Sequence, residues 1–288
     1  VKRVVTVFFG LVVCAGVWGY EWPLSGPGIV ASFAERRGDY FLPGVSLTGD
    51  DDQVLPIDHG ETVFVWDGGA GTPAIPSGLG AYVVLEHDRG IRSAYGHLAF
   101  GSVEDMRRTI RQGDPVGRVG NSGFSKGNQL YLQITDMELR QIVNPLLLLP
   151  ALADARRPVV EAPRLLRQGT EQQLGELTTA ESGRVDIVAR IYDVSEHLQF
   201  RNPIAPYHVV VLVNGEETFE LRYDSLQEEE GKFLLSGAEE TTLSRLYYGQ
   251  WDVRLGSLEL MPGEYRMEIL ARDFAGTEAT RSFTVRVQ

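Results

Sequence analysis

Apolar positions along the chain fall in short alternating runs with turn residues between them. Residues 62–66 (TVFVW) end at Asp67-Gly68-Gly69, and 81–86 (AYVVLE) end near Asp88-Arg89-Gly90. Residues 91–95 lead into Gly96-His97-Leu98, and Tyr40-Phe41-Leu42 stops at Pro43-Gly44. Alternation of this length, punctuated by Gly, Asp and Pro, predicts strands and an all-β sandwich or barrel. One stretch breaks the rule: Val103, Met106 and Ile110 share a helical spacing and predict a helix over 102–111. Residues 20–34, rich in Pro and Gly around Trp22-Pro23, read as an irregular arm along a domain edge.

The second half alternates too. The runs are 185–192, 208–213, 218–223, 265–271 and 282–287. Asn214-Gly215 between two of them is a strong hairpin signal, because both turn positions need positive φ. Met261-Pro262-Gly263 and Asp273-Phe274-Ala275-Gly276 bracket what resembles the last hairpin of an immunoglobulin-like sandwich. The run 146–149 (LLLL) is far too short to span a membrane and reads as a docking segment. The boundary between two domains is expected there, giving 20–150 and 151–288; two domains also suit 288 residues.

At the centre of the first domain lies 117–134, GRVGNSGFSKGNQLYLQI. A glycine-rich turn feeds a strand whose side chains switch faces at every residue. Leu130, Leu132 and Ile134 therefore share a core face. Gln129, Tyr131 and Gln133 share the other, expected to floor a groove.

Composition adds two exclusions. With 43% hydrophobic and 23% charged residues the chain can build a core. Its formal charge of -12 argues against general nucleic-acid binding. Lys2 and Arg3 before the apolar run 4–17, with small residues near Gly19, follow the pattern of a secretory signal over 1–19. Its removal would leave a charge of about -14. The single cysteine, Cys14, lies within it, so the exported chain would hold no disulfide. Lipid attachment at Cys14 is a second reading, against which Val13 stands where lipoproteins carry a small residue. The expected location is the periplasm or cell envelope, with membrane contact only through this segment.

Several fragments then fall in order between 42 and 145. They are Leu42-Pro43-Gly44-Val45-Ser46, the 54–63 strand pair and 83–87 (VVLEH). Next come Tyr95-Gly96-His97-Leu98, Gly113-Asp114-Pro115-Val116, the 120–127 glycine turn with Gln129-Leu130-Tyr131, and Asn144-Pro145. In this order they resemble the lysostaphin/LytM-type zinc endopeptidases of bacterial cell walls. The resemblance implies a β-sandwich/barrel hybrid, the duplicated hybrid motif, followed by the immunoglobulin-like sandwich.

In that family, zinc is held by the His and Asp of H-x-G-x-D and by the second His of H-x-H. The matching positions here are Leu42, Ser46 and Tyr131. Of two further family histidines, one matches His97 and the other matches Gln129. A catalytic zinc needs about three nitrogen, sulfur or carboxylate ligands. Leu42 has no donor atom, and the two hydroxyls would have to lose a proton of high pKa. The resemblance therefore implies a pseudo-enzyme with no zinc and no cofactor. His97, Gln129, Tyr131 and Gln133 would line a groove that holds peptidoglycan or a cell-wall hydrolase. Three alternatives stand beside it. New ligands among Asp50-Asp51-Asp52, His59 and His87 could restore an active zinc endopeptidase. The groove could be closed, with Leu42 and Tyr131 in the core. The chain could be a structural envelope protein working through its second domain.

Overall fold

The computed structural model describes residues 19–68, 77–103, 107–198, 203–236 and 241–288. The expected signal segment up to Trp18, with Cys14, lies outside them. Among the described residues, strands dominate, as the alternation predicts, and no helix is long and apolar enough to cross a membrane.

One antiparallel sheet organises the first half. Leu130–Asp136 lies near its middle, paired along one side with Ile91–Leu98. Along its other side it pairs first with Val45–Thr48 and then with Gln141–Val143. Ala81–Glu86 and Gly60–Trp66 extend the sheet beyond Ile91–Leu98. Leu130, Leu132 and Ile134 are fully buried, so the apolar phase of this strand fixes which face meets the core.

Two local expectations are corrected. Part of the 20–34 arm is a strand: Gly28–Ala31 pairs with Val45–Thr48, and Ala31 is fully buried. Its alternation is only four residues long and is masked by flanking Pro and Gly. The expected helix over 102–111 is absent from the described part of that range. Thr109–Ile110 is a short strand paired with Gly60–Glu61, and Met106 lies outside the described residues. Val103 and Ile110 are buried, so their apolar spacing reports core contact rather than a helix.

The second half holds sheets of four and five strands. The Asn214-Gly215 turn joins His208–Val213 to Glu216–Arg222 with both φ values positive, 53° and 85°. One part of this half joins the first sheet instead. Ser225–Glu229 pairs with Gln141–Val143, and Lys232–Ser236 and Thr241–Thr242 follow it outward. Asn144 secures that crossing. Its side chain accepts from Leu146 N–H, starting the turn at Pro145–Leu147, and donates to the Tyr223 carbonyl at 2.7 Å. The leucine run that follows docks as expected, with Leu149 buried and Leu146 and Leu148 half-buried in the common core. A second link joins the two halves: Ser32 Oγ accepts from Ala205 N–H while the buried Glu35 carboxylate takes Ser32 N–H.

Asp154, Asp193 and Asp273 also meet near this junction, their oxygens within 4.8 Å of one another. Burial is the main force raising the Asp193 pKa to about 7, with Asp273 and Asp154 adding to it. A carboxyl with a raised folded-state pKa is harmless below the unfolded value near 4 and costs stability as pH climbs toward 7. Asp193→Asn keeps an acceptor for Val194 N–H and removes that cost. The variant should melt higher than the parent at pH 8 and equally at pH 4. Equal melting at both pH values would contradict the account.

Candidate functional site

The recess is built where the Tyr95-Gly96-His97-Leu98 strand end meets the glycine turn. Opposite Tyr82, the Ile91–Leu98 strand carries an irregularity between its Val83 and Ala81 pairings, and His97 takes φ 64° there. A non-glycine residue in that region costs about 1–2 kcal/mol. Two hydrogen bonds hold it in place. His97 N–H donates to the Leu79 carbonyl at 2.6 Å, and Nδ1–H donates to the Ser122 carbonyl at 2.9 Å. Since a carbonyl only accepts, the neutral ring keeps its proton on Nδ1. Burial lowers the His97 pKa despite those two bonds, so the ring is neutral at pH 7. Gly80, at φ 65°, lets the backbone come close enough: a Cβ there would stand 2.2 Å from Ser122 Oγ.

The three positions matched to family metal ligands do converge. Tyr131 is the direct cross-strand partner of Ser46. Leu42, Tyr131 and Ala31 form one buried cluster, with Leu79 packed against it. The Tyr131 ring also lies 5.9 Å from the His97 ring, tilted by 59°. Tyr131, Ser46, His97 and Leu42 are each less than a tenth exposed. A Cβ at Gly44 would stand 2.9 Å from the Tyr131 ring, so the ring packs against bare backbone there.

These residues do not fit a zinc ion. Leu42 fills the space of a ligand with hydrocarbon. Burial, with Tyr40 nearby, pushes the Tyr131 phenol far above its ordinary range, so it holds its proton at any physiological pH. Its hydroxyl donates to Gln133 Oε1 at 2.9 Å, and Gln133 Nε2 donates to Thr135 Oγ1 at 3.3 Å. Gln129 and Gln133 are only half-buried, and they are the polar ends of this face that reach solvent.

The other sequence candidates are engaged elsewhere. Asp52 pairs with Arg118 at 3.1 Å, and His59 with Asp58 at 2.8 Å. His87 is buried; its Nδ1 donates to the His59 carbonyl, and its Nε2 lies 2.7 Å from Ser93 Oγ. The described acidic and imidazole side chains close enough to share an ion are Asp154, Asp193 and Asp273, none of them in the recess. Sequence reasoning missed Ala31 and Leu79 as walls of the recess. The Gly28–Ala31 alternation was the available signal for the first; nothing local marks the second.

Residues 43–145 match the family described as Peptidase family M23. That segment, about a third of the chain, is similar to the lysostaphin/LytM-type peptidases of that family. A separate family match covers 157–288. The chain is 29% identical over 144 residues to the cell division protein DipM of Caulobacter vibrioides (strain NA1000 / CB15N). That alignment takes in 48% of this chain and 22% of the relative, so the chain spans about a fifth of DipM. Among solved structures, the SpoIIQ-SpoIIIAH pore forming complex is similar at 21% identity and a TM-score of 0.37, over 46% of this chain and 90% of that one. The catalytic domain of lysostaphin from Staphylococcus simulans is similar at 18% identity and a TM-score of 0.30, over 36% and 76% of the two chains.

Proposed function

We propose that this chain is an exported, catalytically silent M23-type protein that binds peptidoglycan or regulates a wall hydrolase in the cell envelope. The observation that carries the reading is the Leu42–Tyr131–Ala31 cluster at the family's ligand positions. A metal-bound water with a pKa near 7 is what such a peptidase uses as its nucleophile. A leucine, a buried serine and a phenol that keeps its proton cannot assemble that site. Gln129 and Gln133 supply amides that both donate and accept, suited to a peptide stem or a partner loop. Tyr131 supports Gln133 through its hydroxyl.

The likeness to a cell division protein supports a role in remodelling the wall. An immunoglobulin-like second domain would serve as the spacer or the partner surface. The test measures zinc by elemental analysis, release of fragments from isolated sacculi, and co-sedimentation with them in the presence and absence of envelope hydrolases. Near-zero zinc, no release, and either co-sedimentation or a rise in hydrolase activity are expected. Stoichiometric zinc, with sacculus cleavage that His97→Ala abolishes, would sink the proposal. So would a lack of binding to both sacculi and hydrolases.

A further inference from the structure

The four-stranded and five-stranded sheets of the second half each send one strand to the same point. Gly183–Tyr192 runs into Asp193, and Gly263–Arg272 runs into Asp273. Asp154, on the segment that follows Pro150, comes up beside them. One oxygen from each carboxylate lies within 4.8 Å of the other two. Three further bonds keep these segments together. Glu196 N–H donates to Asp154 Oδ1 at 3.4 Å, Arg156 Nη1 to the Val194 carbonyl at 3.3 Å, and His197 Nε2–H to the Ala153 carbonyl at 2.8 Å.

Acidic groups on a surface gather without any ligand, but Asp193 is not on the surface. It and Asp273 are each 2% exposed. Asp193 Oδ1 accepts Val194 N–H at 2.7 Å, and no donor among the described residues reaches its Oδ2. The charges that act on Asp193 are those of Asp273 and Asp154, both of its own sign. Asp273 takes Thr277 N–H at 2.8 Å, and Asp154 takes Arg156 N–H at 3.0 Å. Amides soften a buried charge and do not cancel it. Buried charges are retained where they are paired or coordinate a metal. The three carboxylates line one small chamber of about 30 Å³, with Ser195 and Trp22 also on its wall. That is room for a single ion or water.

One proton can neutralise one of these acids, and it leaves the other two facing each other. A divalent cation answers all three at once. The donors are carboxylate oxygens, with no sulfur or imidazole among them, which suits a hard ion rather than zinc. Calcium takes oxygens at about 2.3–2.6 Å in an adaptable shell, whereas magnesium demands a tight octahedron at about 2.0–2.1 Å. Oxygens separated by up to 4.8 Å can share one calcium ion without moving. We propose that this chamber is a calcium site, with Asp154, Asp193 and Asp273 as its carboxylate ligands. The ion would fasten the segment after Pro150 to both strand ends of the second half. From the first half, Trp22 Nε1–H already holds the Pro150 carbonyl at 2.9 Å, so calcium would stiffen the connection between the halves. The proposal stands whether or not the M23 recess is silent, since the two sites share no lining residue.

The test is calorimetry of the full chain, stripped with EDTA and titrated with calcium chloride at pH 8, against sodium chloride of matched ionic strength as the baseline. Melting is expected to rise by about 5–10 °C at a hundredfold excess over the dissociation constant. Magnesium chloride at the same concentration should give less than half that shift. Asp193→Asn supplies the sharpest contrast. In EDTA it should melt above the parent, having shed a buried charge, and in saturating calcium it should melt below. Terbium, an oxygen-seeking stand-in for calcium, reads binding directly: its tryptophan-sensitised emission should appear with the parent, fall on adding calcium, and be absent from Asp193→Asn. No calcium shift in the parent, equal shifts in parent and variant, an equal response to magnesium, or terbium emission retained by the variant would each overturn the proposal.

Discussion

Tyr131→Ala should destabilise the protein by about 3–5 kcal/mol, the range for removing a buried aromatic ring. The ring packs against Leu42, Ala31 and Leu79 and lies over Gly44, which has no side chain to fill the space the ring would leave. The cavity would therefore persist, which puts the cost at the upper end of such substitutions. A domain of this size loses roughly 2–4 °C of melting temperature per kcal/mol, so a fall of about 10 °C is expected. Tyr131→Phe isolates the hydroxyl. It breaks one hydrogen bond, to Gln133, worth about 1 kcal/mol. If calorimetry showed both variants melting within a degree of the parent, the ring would not be filling the recess. If Tyr131→Phe cost as much as Tyr131→Ala, the hydroxyl rather than packing would carry the position.

The second large effect is a gain. The variant Leu42→His, Ser46→Asp, Tyr131→His is expected to retain about one equivalent of zinc after dialysis, where the parent retains almost none. Cross-strand pairing sets Ser46 beside Tyr131, and Leu42 touches the same ring. The backbone thus already brings the three positions together, and only the donor atoms are missing. A structural zinc is worth on the order of 10 kcal/mol, enough to dominate the cost of placing an acid and two imidazoles in a closed recess. Zinc should also raise the melting temperature of this variant and leave that of the parent unchanged, because only the variant's native state binds it. A folded variant that takes up no zinc would mean that the strands here have moved away from the family's geometry.

These two variants probe the same point from opposite sides. The first asks whether hydrocarbon holds the recess closed. The second asks whether loss of donors is all that separates it from a metal site. Together they distinguish a filled pocket on an intact frame from a frame that has drifted.

Much of the frame was legible in the chain. The two-residue period of 130–134 named its core face correctly, because alternate burial is the direct consequence of strand geometry. Asn214-Gly215 announced its hairpin, since few other pairs accept two positive φ values. The apolar spacing of Val103 and Ile110 misled, because a periodicity of two or three contacts records burial without saying which element delivers it. The strand at Gly28–Ala31 was hidden by the Pro and Gly around it.

The sequence by itself determined which atoms are available at the recess: a leucine, a serine and a tyrosine where donors for a metal would stand, and a histidine beside them. It also determined the strand faces, through the pattern of apolar residues. The tertiary structure alone decided that these side chains meet, that Leu42 and Tyr131 close on one another with Ala31, and that His97 is held neutral by burial. It alone carried Ser225–Glu229 and Lys232–Ser236 across to the first sheet. The physical reason is range. Alternation and turn chemistry are fixed by neighbours along the chain, whereas the enclosure of a recess depends on residues from distant segments arriving together.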